Sequence, residues 1–162
     1  MDTHPHRRRR QRRHSSAATE RALHLVDVDN MLGDPRDATP ASIRDALAAY
    51  RIASGYGRCD LVVLATNHAI GVEVGTAWPG ARLLVRSGKD GADLALIEEA
   101  RSMPTGRVTR VVVGSGDHIF TEVVHELHAA GLQVSVVSRP LSLARSLRRA
   151  ADVVIDLTAV AA

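Results

Sequence analysis

Residues 23–30 read LHLVDVDN, a strand-like apolar run that leads directly into two carboxylates and an amide. Residues 111–117, VVVGSGD, repeat that design with a glycine-containing turn before Asp117. In open α/β sheets, ligands bind beyond the carboxyl ends of the strands, at the point where the strand order reverses. If the first and fourth strands are neighbours at that point, Asp27 and Asp117 face each other there.

Short apolar runs alternate with longer helical segments along the rest of the chain, a pattern typical of βα units around a parallel sheet. Strands are predicted at about 23–28, 60–65, 81–86, 108–113, 132–137 and 153–157. Helices are predicted from Thr39 to about Gly55, and at about 68–75, 91–103, 119–130 and 141–150. The pattern predicts a three-layer α/β/α domain over residues 21–160, with a mostly parallel twisted sheet of five to six strands.

Basic charge is concentrated at the start of the chain. Residues 1–14 contain six arginines, all between Arg7 and Arg13, against the single acid Asp2, a formal charge of +5. The whole chain of 162 residues is +3, so the remaining residues carry −2. Residues 1–20 are predicted to form a disordered arginine-rich tail. Arg7–Arg13 are expected either to contact nucleic acid nonspecifically or to stay solvated without a partner.

The cysteine count and the lengths of the apolar runs exclude several classes of protein. Cys59 is the only cysteine, which excludes a disulfide within one chain and a cysteine-rich zinc site. No apolar run approaches the roughly 18 residues that indicate a membrane span. We therefore expect a cytoplasmic protein without a membrane partner, and the sequence leaves an oligomer open.

A third acid, Asp93, lies just inside the start of a predicted helix and could lean over the same crevice. Like charges gathered at one sheet edge repel each other unless a cation or a proton lies between them. Carboxylate oxygens favour Mg²⁺ or Mn²⁺, the ions of phosphodiester chemistry, so Asp27, Asp93 and Asp117 are predicted to bind one of these ions. Asn30 can orient a carboxylate or a phosphate without adding charge. Asp29 is expected to point away, because successive strand residues face opposite sides of a sheet.

Five segments resemble the NYN domains of the PIN-like nuclease superfamily, in the same order along residues 22–157. The resemblance implies a PIN-like fold, metal-dependent ribonuclease activity and an active-site set of Asp27, Asn30, Asp93 and Asp117. Beside this set, side chains predicted to contact RNA are Arg86, Lys89, Ser115 and Arg139. The segments are 26–32 VDVDNML, 89–96 KDGADLAL, 113–120 VGSGDHIF, 138–142 SRPLS and 151–152 AD.

Two other functions stay open. NYN domains commonly have an aspartate where this chain has Ile119, and its loss favours a single metal ion or a non-catalytic RNA-binding or adaptor protein that keeps the fold. Asp27 and Asp29 at a strand end also resemble the haloacid dehalogenase-like phosphatases, in which the first acid would be the nucleophile. In that case Thr66 and Lys89 would take the other catalytic parts, although Met31 replaces the usual Thr or Val.

Overall fold

Six parallel strands form one sheet in the order β3-β2-β1-β4-β5-β6. The structure, a computed structural model, describes residues 21–160, so the predicted tail and its Arg7–Arg13 lie outside the described residues. Every strand pair is parallel, which confirms the predicted α/β fold and makes the sheet wholly rather than mostly parallel. The strands are β1 (Ala22–Asp27), β2 (Leu61–Thr66), β3 (Arg82–Val85), β4 (Arg110–Gly114), β5 (Gln133–Ser138) and β6 (Val153–Asp156).

Helices cover both faces of this sheet and give the predicted three layers. Leu23 and Leu25 of β1 face one apolar core, and the neighbouring Val26 faces the other, because side chains alternate along a strand. The first core is closed by α4, α5 and α6, and the second by α1, α2 and α3. The helices are α1 (Val28–Leu32), α2 (Pro40–Ala53), α3 (Gly71–Ala77), α4 (Gly91–Ser102), α5 (Phe120–Ala129) and α6 (Arg145–Ala150).

The strand order reverses between β1 and β4. Their register sets Val26 opposite Gly114, so the two strands end at the same edge of the sheet. All six residues of β1 are buried, as expected of a central strand in a sheet covered on both faces. This arrangement meets the condition under which Asp27 and Asp117 were expected to approach each other.

Helix α1 corrects the prediction at residues 28–30. The strand was expected to run through Val28, but it ends at Asp27, whose side chain caps α1 by accepting a hydrogen bond from the Asn30 N–H at 3.1 Å. Asp29 is therefore a helical residue, and strand alternation does not determine where its side chain points. The expectation that Asp29 looks away from the crevice was wrong for this reason.

Among residues 21–160, no helix is both long and apolar enough to span a bilayer.

Candidate active site

A cleft of about 250 Å³ opens at the carboxyl edge of the sheet, between the end of β1 and the start of α4. Asp27 enters it from the end of β1, and Asp29 and Asn30 enter it from α1. Asp93 enters from the first turn of α4 on the opposite side. Asn67 and Arg86 follow β2 and β3, and Asp90 precedes α4; they also contribute polar side chains to the lining.

Asp27 and Asp93 form a buried carboxyl pair within this cleft. Their side chains are close enough to share a hydrogen bond, and each residue is less than a tenth exposed. Burial, and then the nearby Asp93, raise the pKa of Asp27 to about 8. Burial also raises the pKa of Asp93, with Asp117 contributing. The pair therefore holds a proton near neutral pH unless a cation replaces it.

One oxygen of this pair has no partner. Asp93 Oδ1 is buried and has no hydrogen-bond partner among the described residues. In contrast, Asp27 Oδ1 accepts from the Asn30 N–H and Asp27 Oδ2 accepts from the Ser115 hydroxyl at 3.3 Å. A buried carboxylate oxygen needs a partner, and here either a proton shared with Asp27 or a cation would supply it.

Asn30 joins the end of β1 to the turn after β4. Its side-chain Oδ1 accepts a hydrogen bond from the Gly116 N–H at 3.0 Å. Its backbone carbonyl accepts one from Arg139 Nη2, also at 3.0 Å. Asn30 is thus held on both sides. Its position in the cleft is set by Gly116 and Arg139, which are 86 and 109 positions further along the chain.

Gly116 allows the turn after β4 to approach the next loop closely. A Cβ atom at this position would lie 2.3 Å from the Ser142 carbonyl oxygen and 2.6 Å from Ser138 Oγ. The Gly116 carbonyl also accepts a hydrogen bond from the Ala144 N–H at 2.8 Å. Glycine is therefore required here by space, and the resulting turn presents the Gly116 N–H to Asn30.

Asp117 stands back from the buried pair. Its side chain is about one-third exposed, and Oδ1 accepts a hydrogen bond from the Ile119 N–H at 3.0 Å. His118 Nδ1 lies 2.8 Å from the same oxygen. The charge of Asp117 still reaches Asp93 and contributes to its raised pKa, so the predicted carboxylates do share one end of the sheet.

Asp29 points into the cleft with Asp27 and Asp93. Thr66 Oγ1 donates to Asp29 Oδ1 at 2.6 Å, and Asn67 Nδ2 donates to Oδ2 at 2.9 Å. This role of Thr66 and Asn67 was not predicted from the sequence. Both residues stand at the end of β2, the same kind of position that identified Asp27, and this signal could have found them.

Comparison with known proteins agrees with this arrangement. The family model of the NYN domain matches residues 22–158, which is most of the chain. The chain belongs to the NYN domain family. Membership confirms the resemblance found in the sequence and brings with it the PIN-like nuclease fold.

One solved structure similar to this NYN domain is the crystal structure of VPA0982, a protein of unknown function from Vibrio parahaemolyticus. The two chains superpose with a TM-score of 0.62 at 17% sequence identity. The match covers 85% of the NYN domain chain and 92% of the other protein. At this identity the likeness supports the fold alone. A search of curated proteins finds no match.

The donor set of the NYN domain fits a divalent ion held by few protein ligands. Among residues 21–160, no group of three or more His, Cys, Asp or Glu side chains is arranged to hold a metal ion. Mg²⁺, however, is commonly bound through one or two carboxylates, with water and substrate phosphate completing its shell. The unpaired Asp93 Oδ1 and the adjacent Asp27 supply such a two-carboxylate set.

The predicted RNA contacts occupy different surroundings in the NYN domain. Arg86 lines the cleft and donates from Nη1 to Glu98 at 2.9 Å, and Lys89 is exposed just before α4. Ser115 is only 1% exposed and contacts Asp27, so the structure gives it a positioning role. The Arg139 guanidinium holds the Asn30 backbone. Contacts of these four side chains with RNA remain predictions.

Proposed function

We propose that this NYN domain is a ribonuclease that depends on a divalent ion, Mg²⁺ or Mn²⁺, bound at Asp27 and Asp93. The observation that carries the proposal is the buried Asp27–Asp93 pair, which has one unpaired oxygen and opens into a polar cleft. In water-filled surroundings the two carboxyls would simply repel each other, but here they are held together by the fold. A cation at that place removes the repulsion.

Several residues in or beside the cleft have a part in the proposed hydrolysis of a phosphodiester bond. The ion, when bound, supplies a Lewis acid that activates water and offsets charge on the phosphate. Asp27 and Asp93 hold the ion, and Ser115 and the Asn30 N–H keep the Asp27 carboxylate oriented. Arg86 borders the cleft and can bind a phosphate oxygen. Asp117 adds negative charge beside the pair and so favours a cation.

The first test is RNA cleavage by purified protein with Mg²⁺, with Mn²⁺ and with a chelator. Asp27→Asn and Asp93→Asn should each lower the rate at least about a hundredfold, since a metal supplies several kcal/mol of transition-state stabilisation. Asp45→Asn is the matched control, because Asp45 is an exposed acid on α2, outside the cleft lining. Equal cleavage by wild type and both cleft variants would show a contaminating nuclease.

The second test measures ion binding without activity. Mn²⁺ should raise the melting temperature of the wild type and of Asp45→Asn, because an ion that binds only the folded state stabilises it. Asp93→Asn should lose most of that increase. An increase that is the same in all three proteins would place the ion elsewhere.

Ile119 favours the non-catalytic RNA-binding function as the second candidate. Its side chain packs against the apolar core beside α5, and its N–H is bound to Asp117, so this position offers no carboxylate to the cleft. RNA binding without cleavage under any divalent ion would support that candidate. The family match does not support the phosphatase hypothesis. That hypothesis gives Thr66 a catalytic part, but the Thr66 hydroxyl already donates a hydrogen bond to Asp29.

A further inference from the structure

A second depression, of about 520 Å³, lies at the amino edge of the sheet, opposite the candidate active site. It is bordered by three arginines: Arg21 precedes β1, Arg82 begins β3, and Arg107 lies shortly before β4. Apolar side chains form much of the remaining wall, namely Leu61, Val62, Val63, Met103 and Pro104. We refer to this depression as the amino-edge cavity.

The acids of the amino-edge cavity are already paired. Asp60 accepts hydrogen bonds from the Ala22 N–H at 2.9 Å and the Gly57 N–H at 2.7 Å, and it contacts buried His24 at 3.2 Å. Glu99 pairs with Arg82 at 3.0 Å. The charge of Glu99 is therefore offset by Arg82, and the Asp60 oxygens are directed at the Ala22 and Gly57 N–H groups and His24.

Donors of the arginines are left over. Arg21 Nε is buried and has no hydrogen-bond partner among residues 21–160. Arg107 is exposed and takes part in no ion pair within the same residues. Arg82 Nη1 lies 3.0 Å from Glu99 Oε1, and the Arg82 side chain is 63% exposed. Because a guanidinium has five N–H donors in a planar fork, these three side chains suit phosphate oxygens.

A third depression lies between the amino-edge cavity and the active-site cleft and has lining residues in common with each of them. It follows the outer edge strand β3 from Arg82 to Arg86 and is closed on its other side by α4. It shares Arg82 and Glu99 with the amino-edge cavity, and it shares Arg86 with the cleft. Arg82 and Arg86 are four residues apart along an extended strand, a distance of about 13 Å on the same side of the sheet.

We propose that an RNA strand bound in the active-site cleft continues along this β3 groove and places backbone phosphates against Arg21, Arg82 and Arg107. The inference rests on the proposed function, since it gives that site its substrate path. Phosphate contacts position a nucleic acid without reading its sequence. The path therefore predicts tighter binding of long RNA than of short RNA, because only a long strand reaches these arginines. Glu98 and Glu99 hold the groove arginines in place and leave their other donors available.

The test compares RNA binding by two double variants, in chelator so that no cleavage occurs. Arg21→Gln/Arg107→Gln removes two charges that no described ion pair requires, and Arg148→Gln/Arg149→Gln removes two exposed charges from α6 as the control. Each protein keeps the full chain, so residues 1–20 contribute equally. The probes are RNAs of about 4 and about 16 nucleotides, the range covered by typical single-strand sites.

The cavity variant should bind the long RNA at least about fivefold more weakly and the short RNA within about twofold of wild type. For the long RNA, the slope of log binding constant against log salt concentration should become shallower by about 1.4. Two phosphate contacts are lost, and each contributes about 0.7 to this slope for single strands. Glu98→Gln removes an acid from the groove and should tighten binding of the long RNA. The control variant should match wild type for both lengths.

Three results would overturn the path: an equal loss of affinity for both RNA lengths in the cavity variant, an equal loss of affinity in the control variant, or no loss of affinity in the cavity variant. So would a wild type that binds long RNA no better than short RNA. Because binding is measured without metal, the two proposals fail separately. Length-dependent binding without cleavage would contradict the proposed nuclease activity and support the RNA path along the groove. Cleavage together with unchanged binding by the cavity variant would support the nuclease activity and contradict the path.

Discussion

At the residue scale, the proposed chemistry of this NYN domain depends on two carboxyl groups that the fold holds closer than their charges favour. Asp27 is buried at a strand end, and Asp93 meets it from the first turn of α4. The folded-state pKa of Asp27, about 8, lies above its ordinary value of 3.8. The folded chain therefore binds this proton more tightly than the unfolded chain, and ionisation costs stability as the pH rises from about 4 to about 8.

Asp27→Asn should therefore stabilise the metal-free protein at about pH 8 and change its stability much less at about pH 4, where the pKa difference has little effect. The amide keeps the acceptor for the Asn30 N–H and supplies a donor to Asp93, as a protonated carboxyl does. One pKa unit corresponds to about 1.4 kcal/mol, so a gain of about 2 to 5 kcal/mol is expected at the higher pH. Denaturant unfolding in chelator at both pH values measures it.

The wild-type pH profile serves as the internal reference in that experiment. Burial lowers the pKa of His24, so its protonation costs stability as the pH falls below about 6.5, but this loss is common to both proteins and cancels in the difference. A variant no more stable than wild type at about pH 8 would contradict the raised pKa of Asp27.

The sequence predicts that a residue belongs to the site when that residue stands at the end of a strand. Asp27 and Asp117 were predicted because apolar runs show where strands end. Asp93 was predicted at the start of a helix, and the NYN resemblance grouped these three with Asn30. The structure brings Asp27, Asn30 and Asp93 to one cleft. Asp29 was misjudged, since its direction depends on a helical turn that begins one residue earlier. The burial of Ser115 depends on β4 lying beside β1, a pairing that no local pattern in the sequence specifies.

At the scale of elements, the strands were predictable and the connections were not. Each predicted strand overlaps an observed strand, because buried parallel strands appear as continuous apolar runs. Helix α1 has only five residues, too few to show a helical period, and its Val28 continues the apolar pattern of β1. The last helix begins at Arg145 rather than near Leu141, because a short 3-10 turn at Pro140–Ser142 comes first.

The turn after β4 supports a prediction about packing. Gly116→Ala should destabilise the protein by about 2 to 4 kcal/mol, because the new methyl group would collide with the backbone of Ser142. Gly106→Ala is the control, since nothing lies within 4 Å of a Cβ at that position. Thermal and denaturant unfolding should show a large loss for the first and a change within about 0.5 kcal/mol for the second. Similar stabilities would mean that the Ser142 loop moves aside easily.

At the scale of the whole molecule, stability should decrease from the centre of the sheet towards its edges. Strands β1 and β4 have neighbours on both sides and lie almost wholly within the two cores, whereas β3 and β6 are edge strands with partly exposed residues. The two proposed sites lie at different positions in this stability gradient. The cleft is anchored on β1, and the groove follows the edge strand β3.

Amide hydrogen exchange measures this gradient directly. Amides of β1 and β4 should exchange most slowly, at rates set by global unfolding, and those of β3 and β6 should exchange through local opening. A divalent ion should slow exchange in α1 and at the start of α4, next to its proposed ligands. Edge strands as well protected as the centre would indicate a partner that covers them, such as a second copy of the chain.

The contact between Asn30 and Gly116 has a consequence for protein synthesis. The two residues are 86 positions apart, and β1 pairs with β4 over a similar separation. A nascent chain leaving the ribosome therefore carries its first carboxylate long before the partner that orients it, and loop closure over that span must come first. In a cell that makes this NYN domain, the cleft is therefore completed only after β4 has emerged, and a half-translated chain lacks the Gly116 N–H that holds Asn30.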